Sequence, residues 1–310
     1  AGYPFQKDKE INGLTLGSVG SGTKLDHIQV SYTNDDSYEW FGGTVNAKYL
    51  IAYKGWDDDF DTDNGFSGNV QFGLVIRDPR TADTSQSNGF ESDNSAAGAT
   101  VTPYTSATFS NITFVGPKLD ASFVNTTEYI NGGSLYPNNG SALGSFQAAM
   151  HIRRNSRLNC YNSIAVGYPV GLILDNQKGD TQGAATAGNM KLQNIWFAGM
   201  DATGSDANRV YEDILVTGYD DKSKAITDRT KKSFSSTFFL AQTGNKTFPN
   251  ISDLQLTNGY MPMATSKVLN AATFNSMNSW FTTVSYIGAF GANDNWMNGW
   301  TNFDPENTTY

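Results

Sequence analysis

The chain has 310 residues, a net charge of −9, 16% charged and 13% aromatic residues, and 31 glycines. That length holds one large domain or two ordinary ones, and charged residues fall short of the roughly 25% of an average soluble domain, so the composition is one of strands and turns rather than helical bundles or disordered tails. The acidic balance excludes a nucleic-acid binder, with the densest basic run, Arg229-Thr230-Lys231-Lys232, reading as a solvated turn, and no stretch approaches the roughly 18 apolar residues of a transmembrane segment.

In chain order, the sequence opens at Ala1-Gly2-Tyr3-Pro4-Phe5 without Met or a hydrophobic leader, as a mature or trimmed product does. Short β-type runs follow at Ile28–Tyr32, Tyr49–Tyr53, Leu74–Ile76, Ile112–Val115, Ile164–Val166 and Ile195–Phe197, each bounded by Gly, Asn, Asp or Pro. Between them an acid–aromatic segment repeats. Asp35-Asp36-Ser37-Tyr38-Glu39 and Asp57-Asp58-Asp59-Phe60-Asp61 lie 22 residues apart, and Gly89-Phe90-Glu91 restores the register after a further 30.

A period of 20–30 residues with short strands and no sustained helical periodicity predicts a solenoid: an all-β, right-handed parallel β-helix whose coils stack about 4.8 Å apart. A large antiparallel sandwich is the alternative. We expect a single domain over residues 1–310, with regular coils over 1–200 and less regular coils over 201–310. Segments 79–107, 116–146 and 201–250, rich in small polar residues, read as loops leaving the coil. The aromatic-dense end around Trp280, Trp296 and Trp300 is expected to cap the open end of the stack, with an aromatic ligand platform as the rival reading. The single cysteine, Cys160, excludes an intrachain disulfide and a Cys-based zinc site and reads as a buried inert thiol.

Several segments carry a family resemblance. They are Ile11-Asn12-Gly13-Leu14-Thr15-Leu16-Gly17-Ser18, Asp35-Asp36-Ser37-Tyr38-Glu39-Trp40-Phe41-Gly42-Gly43, Asp57 to Gly68, and Tyr286-Ile287-Gly288-Ala289-Phe290-Gly291 with Gly299-Trp300-Thr301-Asn302-Phe303-Asp304-Pro305. Together they resemble a large family of secreted or lipid-anchored β-helix proteins of Bacteroidetes and other Gram-negative bacteria. The resemblance implies an envelope or cell-surface location, further coils upstream of Ile11, and a partnership with an outer-membrane TonB-dependent transporter. It supplies no activity and no catalytic residues.

The chemistry therefore rests on the residues themselves. Stacking the coils puts Glu39, Asp61 and Glu91 in one file, where unneutralised carboxylates repel. A cation site, a solvated acidic face and an active site are the three readings. Ca²⁺ suits the all-oxygen donors, with Glu39, Asp59, Asp61, Asp63 and Glu91 as ligands, Asp59, Asp61 and Asp63 sharing one face of an extended strand. Arg77 and Arg80 are the expected counter-ions. An enzyme would use Asp35 or Asp36 against Asp57 or Asp58 as the two carboxyls of a glycan hydrolase or lyase. A binder would use Trp40, Trp56, Tyr38 and Tyr53 as sugar platforms, whereas Phe60 and Phe90 read as interior. His27 and His151 read as structural. The leading functional expectation is a non-catalytic surface binding or accessory protein, with glycans as the candidate ligands, and the glycan-active enzyme is the alternative.

Overall fold

The computed structural model describes residues 11–83, 85–123, 146–206 and 232–309. Most of the expected loop 116–146, much of 201–250, and residues 229–231 of the basic run lie outside the described residues. Short and long strands alternate along the chain. The first coils contain β1 (Leu14–Gly17), β2 (Lys24–Ser31), β3 (Tyr38–Phe41), β4 (Asn46–Tyr53), β5 (Phe60–Asp63), β6 (Asn69–Ile76), β7 (Phe90–Ser92) and β8 (Thr108–Val115). The pattern continues through β9 (Ala148–Ile152), β10 (Asn159–Val166), β11 (Val170–Leu174), β12 (Leu192–Ala198), β13 (Ala202–Ser205) and β14 (Lys246–Phe248). Odd strands β1 to β13 form one parallel sheet and even strands β2 to β14 the other, each strand pairing with its equivalent one coil away. This is the predicted right-handed parallel β-helix.

The six long strands β2 to β12 each bend at one left-handed residue: His27, Tyr49, Phe72, Asn111, Asn162 and Asn194, with φ between 49° and 63°. The bends divide the even-numbered sheet lengthwise, so each coil has three faces. Bulky residues avoid this conformation, and here ring stacking holds them, with His27 on Tyr49 at 4.4 Å and Tyr49 on Phe72 at 5.1 Å between centroids. Glycine is required where the chain leaves the first sheet: at Gly43 (φ 86°) a Cβ would meet the Val19 backbone at 2.5 Å.

The interior is a column of in-register side chains. Tyr38, Phe60, Phe90, Met150 and Leu172 stack rung upon rung, all fully buried. Phe60 and Phe90 lie where the sequence put them, and Cys160 is buried beside them with its thiol pushed up to about 12 by desolvation.

The terminal aromatics differ from expectation. Helix α2 (Phe234–Ala241), following the shorter α1 (Thr181–Thr186), closes the last coils. Its Phe239 is buried on Phe197 with ring centroids 4.2 Å apart and planes 6° off parallel, and Ser235 Oγ accepts the Leu174 N–H. Phe239→Ala is expected to cost about 3–5 kcal/mol in urea unfolding. Residues 255–309 instead run back along the side of the even-numbered sheet. There Ile51, Leu74, Ile164 and Trp196 point outward, and Val268, Ile287, Phe290 and Met297 cover them. Side-chain amides fasten this strap. Gln71 accepts the Thr282 N–H at 2.8 Å and donates to the Thr282 carbonyl at 2.7 Å, Asn162 pairs likewise with Thr273, and Gln29 with Asn302. The outward apolar file is the larger exposed liability of the stack, and that is where the aromatics go.

Among the described residues no helix is long and apolar enough to cross a membrane.

Candidate active site

The outer face of the odd-numbered sheet carries the acid-rich file of candidate residues. Alternation on β3, β5, β7 and β9 turns Tyr38, Phe60, Phe90 and Met150 inward and Glu39, Asp61, Glu91 and His151 outward. The register pairs Glu39 with Asp61, Asp61 with Glu91, and Glu91 with His151. The predicted acid file is therefore real, and it ends in a histidine. Beside it, Arg153 donates to Glu91 and, at 2.8 Å, to Asp93, while Arg154 donates to Asp93 at 2.5 Å. His151 is buried, with Nδ1 at 3.5 Å from Glu91 and Nε2 at 3.5 Å from Asp175.

The turn before each strand adds the other acids. Asp35, Asp36 and Asp57 bring carboxylate oxygens within 4.8 Å of one another, as do Asp36, Glu39 and Asp61. Asp36 and Asp58 are also rungs of a ladder: Asp36 Oδ1 accepts the Asp58 N–H at 2.9 Å, Asp58 Oδ1 accepts from Asn88, and Asn88 Oδ1 accepts from Ala148 at 3.1 Å. The third rung is an amide, so the ladder needs an acceptor oxygen rather than a charge. Asp57 is bonded by the Ser85 hydroxyl at 2.9 Å.

Three sequence expectations are corrected. Tyr38 and Trp40 are fully buried in the coil interior, where the Tyr38 hydroxyl donates to the Ile28 and Ile51 carbonyls at 2.7 and 2.9 Å, so neither is a sugar platform. Tyr53 is buried too, under Phe303 of the strap at 5.0 Å, whereas Trp56 is half-buried. Asp59 does not share a face with Asp61 and Asp63. It precedes the strand and is sealed inside against Arg77, 3.2 Å away, whose guanidinium also donates to the Asp57 and Trp56 carbonyls. Arg77 is thus the predicted counter-ion, and Arg80 pairs with Asp78. Of the expected calcium ligands, Glu39 and Asp61 come together with Asp36, while Glu91 is engaged by Arg153.

The electrostatics divide the file in two. Burial, reinforced by neighbouring carboxylates, pushes Asp36, Asp57, Asp58 and Asp61 well above the usual carboxylate range, and burial takes Glu39 up to about 7. Burial also acts on Glu91, but Arg153 and His151 outweigh it and hold that carboxyl at about 2. Desolvation lowers His151, yet Asp175 and Glu91 more than restore it and leave it raised. Adjacent rungs thus present a proton-holding carboxyl and an ionised one, a pairing suited to acid–base chemistry.

The family model described as a pectate-lyase-like β-helix domain matches residues 1–301. The chain belongs to this family. No curated protein and no solved structure matches it. Membership supports a glycan-related role in coarse terms. The sequence reads His151 as structural and gives Arg153 and Asp175 no role; the one trace of their juxtaposition is that Arg153 and Asp175 lie one 22-residue period apart.

Proposed function

We propose that this outer face cleaves glycosidic bonds. The carrying observation is that Asp61 and Glu91, adjacent in register, are driven to opposite protonation states. Asp61 gives its proton to the leaving oxygen while Glu91, fixed by Arg153, attacks the anomeric carbon. Water then adds to the glycosyl ester, the Asp61 carboxylate taking its proton and Glu91 departing. Rungs spaced about 4.8 Å apart are close to the roughly 5–5.5 Å of retaining pairs and short of the 6.5–9.5 Å of inverting ones, so we expect retention of configuration. Burial of Tyr38, Trp40 and Tyr53 removes three of the four aromatics behind the non-catalytic reading.

The test is reducing-sugar release from a panel of plant and bacterial polysaccharides. Asp61→Asn and Glu91→Gln are expected to lower activity at least about 1,000-fold with the thermal midpoint of Asp61→Asn undiminished. Unchanged activity in either variant sinks the assignment.

A second reading is a Ca²⁺ site at Asp36, Glu39 and Asp61. Its support is the 4.8 Å convergence of their oxygens and a buried Asp61 Oδ1 without a hydrogen-bond partner. Export to the bacterial surface and partnership with an outer-membrane transporter enter the proposal from sequence resemblance. Cell fractionation with surface proteolysis tests the location.

A further inference from the structure

A second site lies away from the acid face, on the flank of the first two coils. A cavity of about 230 Å³ opens there between the outward residues of β2 and β4 and the strap, lined by Thr23, Lys24, Asp26, Asn46, Lys48 and Trp280. We infer that this groove is a non-catalytic binding site for a neutral sugar residue, with Trp280 as its aromatic wall. The indole is held from several directions. Lys48 Nζ lies 4.6 Å from its ring centroid and donates to the Trp280 carbonyl at 3.3 Å and to Thr282 Oγ1 at 2.7 Å. Asn278 Oδ1 accepts the Trp280 N–H at 3.0 Å, and the Asn278 amide is tied to Asn69 at 3.2 Å. Phe281 packs edge-on at 5.0 Å and is itself buried. A fixed half-exposed indole offers flat apolar area without the entropy cost of ordering a mobile ring.

The polar lining selects the ligand class. Asn46 and Thr23 offer donors and acceptors for sugar hydroxyls. Both ammonium groups are already occupied: Lys24 is paired with Asp26 at 2.8 Å, and Lys48 directs its N–H groups at the Trp280 carbonyl and Thr282 Oγ1 of the strap and lies over the indole. A sugar carboxylate would have to displace these partners, so an uncharged pyranose is favoured. The site is independent of the acid face, because Lys24, Asp26, Asn46 and Lys48 all stand on the even-numbered sheet.

The experiment is affinity electrophoresis of the full chain in gels containing hydroxyethylcellulose, galactomannan, dextran or polygalacturonate. At least one neutral polysaccharide is expected to retard the wild type. Trp280→Ala should weaken retardation at least about tenfold, Trp280→Phe should keep part of it, and Asp61→Asn should keep all of it. If Trp280→Ala lowers the thermal midpoint, Thr23→Val, which removes a hydroxyl partner from the exposed lining, replaces it with a loss in the same direction. Retardation by no neutral polysaccharide, or by polygalacturonate alone, overturns the inference. So does full retention in both Trp280→Ala and Thr23→Val, or loss in Asp61→Asn, which would assign binding to the acid face.

Discussion

Between pH 5 and pH 8 the thermal midpoint of this protein is expected to fall, by at least roughly 5–10 °C, the share of a single proton-holding carboxyl. Asp36, Asp57, Asp58 and Asp61 hold protons in the folded chain far above their unfolded range, Glu39 does so to about 7, and burial takes Asp59 to about 7 against the pull of Arg77. Over that interval the folded state binds more protons than the unfolded one, so the stability these carboxyls contribute is full below about pH 4 and is lost as pH rises through the folded values. His151 acts in the same direction, its contribution present below 6.5 and lost above its raised folded value. Glu91 opposes them only in acid: its contribution is present above 4.5 and lost as pH falls toward about 2. A tenfold change in proton affinity is worth about 1.4 kcal/mol, so one buried carboxyl that keeps its proton across this interval brings a few kcal/mol, roughly 2 °C for each kcal/mol in a domain of this size. Asp58→Asn should flatten the slope without loss of stability, because Asn88 already serves as a neutral rung one coil further on. Added Ca²⁺ decides the second reading of the site. If the carboxylates hold it, the alkaline loss is reversed by about 2.7 kcal/mol at a hundredfold excess over the dissociation constant. A flat pH profile in the absence of calcium would show that the carboxyls are solvated and would remove the acid–base pairing as well.

Ending the chain at Asn270 is expected to abolish the soluble fold. The cut removes Ile287, Phe290 and Met297, re-exposing Ile51, Leu74, Ile164 and Trp196 as one apolar stripe. It also strips partners from the amides of Gln29, Gln71, Asn111 and Asn162. Such a stripe aggregates. The single change Phe290→Ala, losing a buried ring stacked on Trp296 at 5.1 Å, isolates the packing share at about 3–5 kcal/mol. The check is the soluble fraction and size-exclusion profile of the truncated chain beside urea unfolding of Phe290→Ala. A truncated chain that elutes as a monomer and melts like the full chain would reduce the strap to decoration.

The coil and its acid file were legible because near-equal coil lengths leave a period in the sequence, and that period carries Glu39 onto Asp61 and Glu91. The aromatic platform was misread for a reason also visible in the sequence. In a short strand neighbours face opposite ways, so if Glu39 points outward then Tyr38 and Trp40 must point inward. Asp59 escaped that rule because the strand begins one residue later, at Phe60, and a turn obeys no alternation. Arg153 and His151 were hidden by the long insertion between β7 and β9, which breaks the spacing to the acids they engage. The strap left only a density of aromatics as its trace. Its destination depends on amides of Gln29, Gln71 and Asn162 meeting its backbone, which no local pattern encodes.

The strap also acts as a ruler. A plain solenoid is held by nearest-neighbour contacts, so coils can be added or lost at its ends and the last ones can fray alone. Here the segment touches Asn194 on β12 at one extreme and Gln29 on β2 at the other. That reach covers six strands, five spacings of about 4.8 Å, or roughly 24 Å. The first coil cannot peel away without releasing Asn302, and the strap cannot lift without uncovering every coil beneath it. The ends of the stack therefore unfold together, and a duplicated coil would outgrow the measure that the chain carries along its own side.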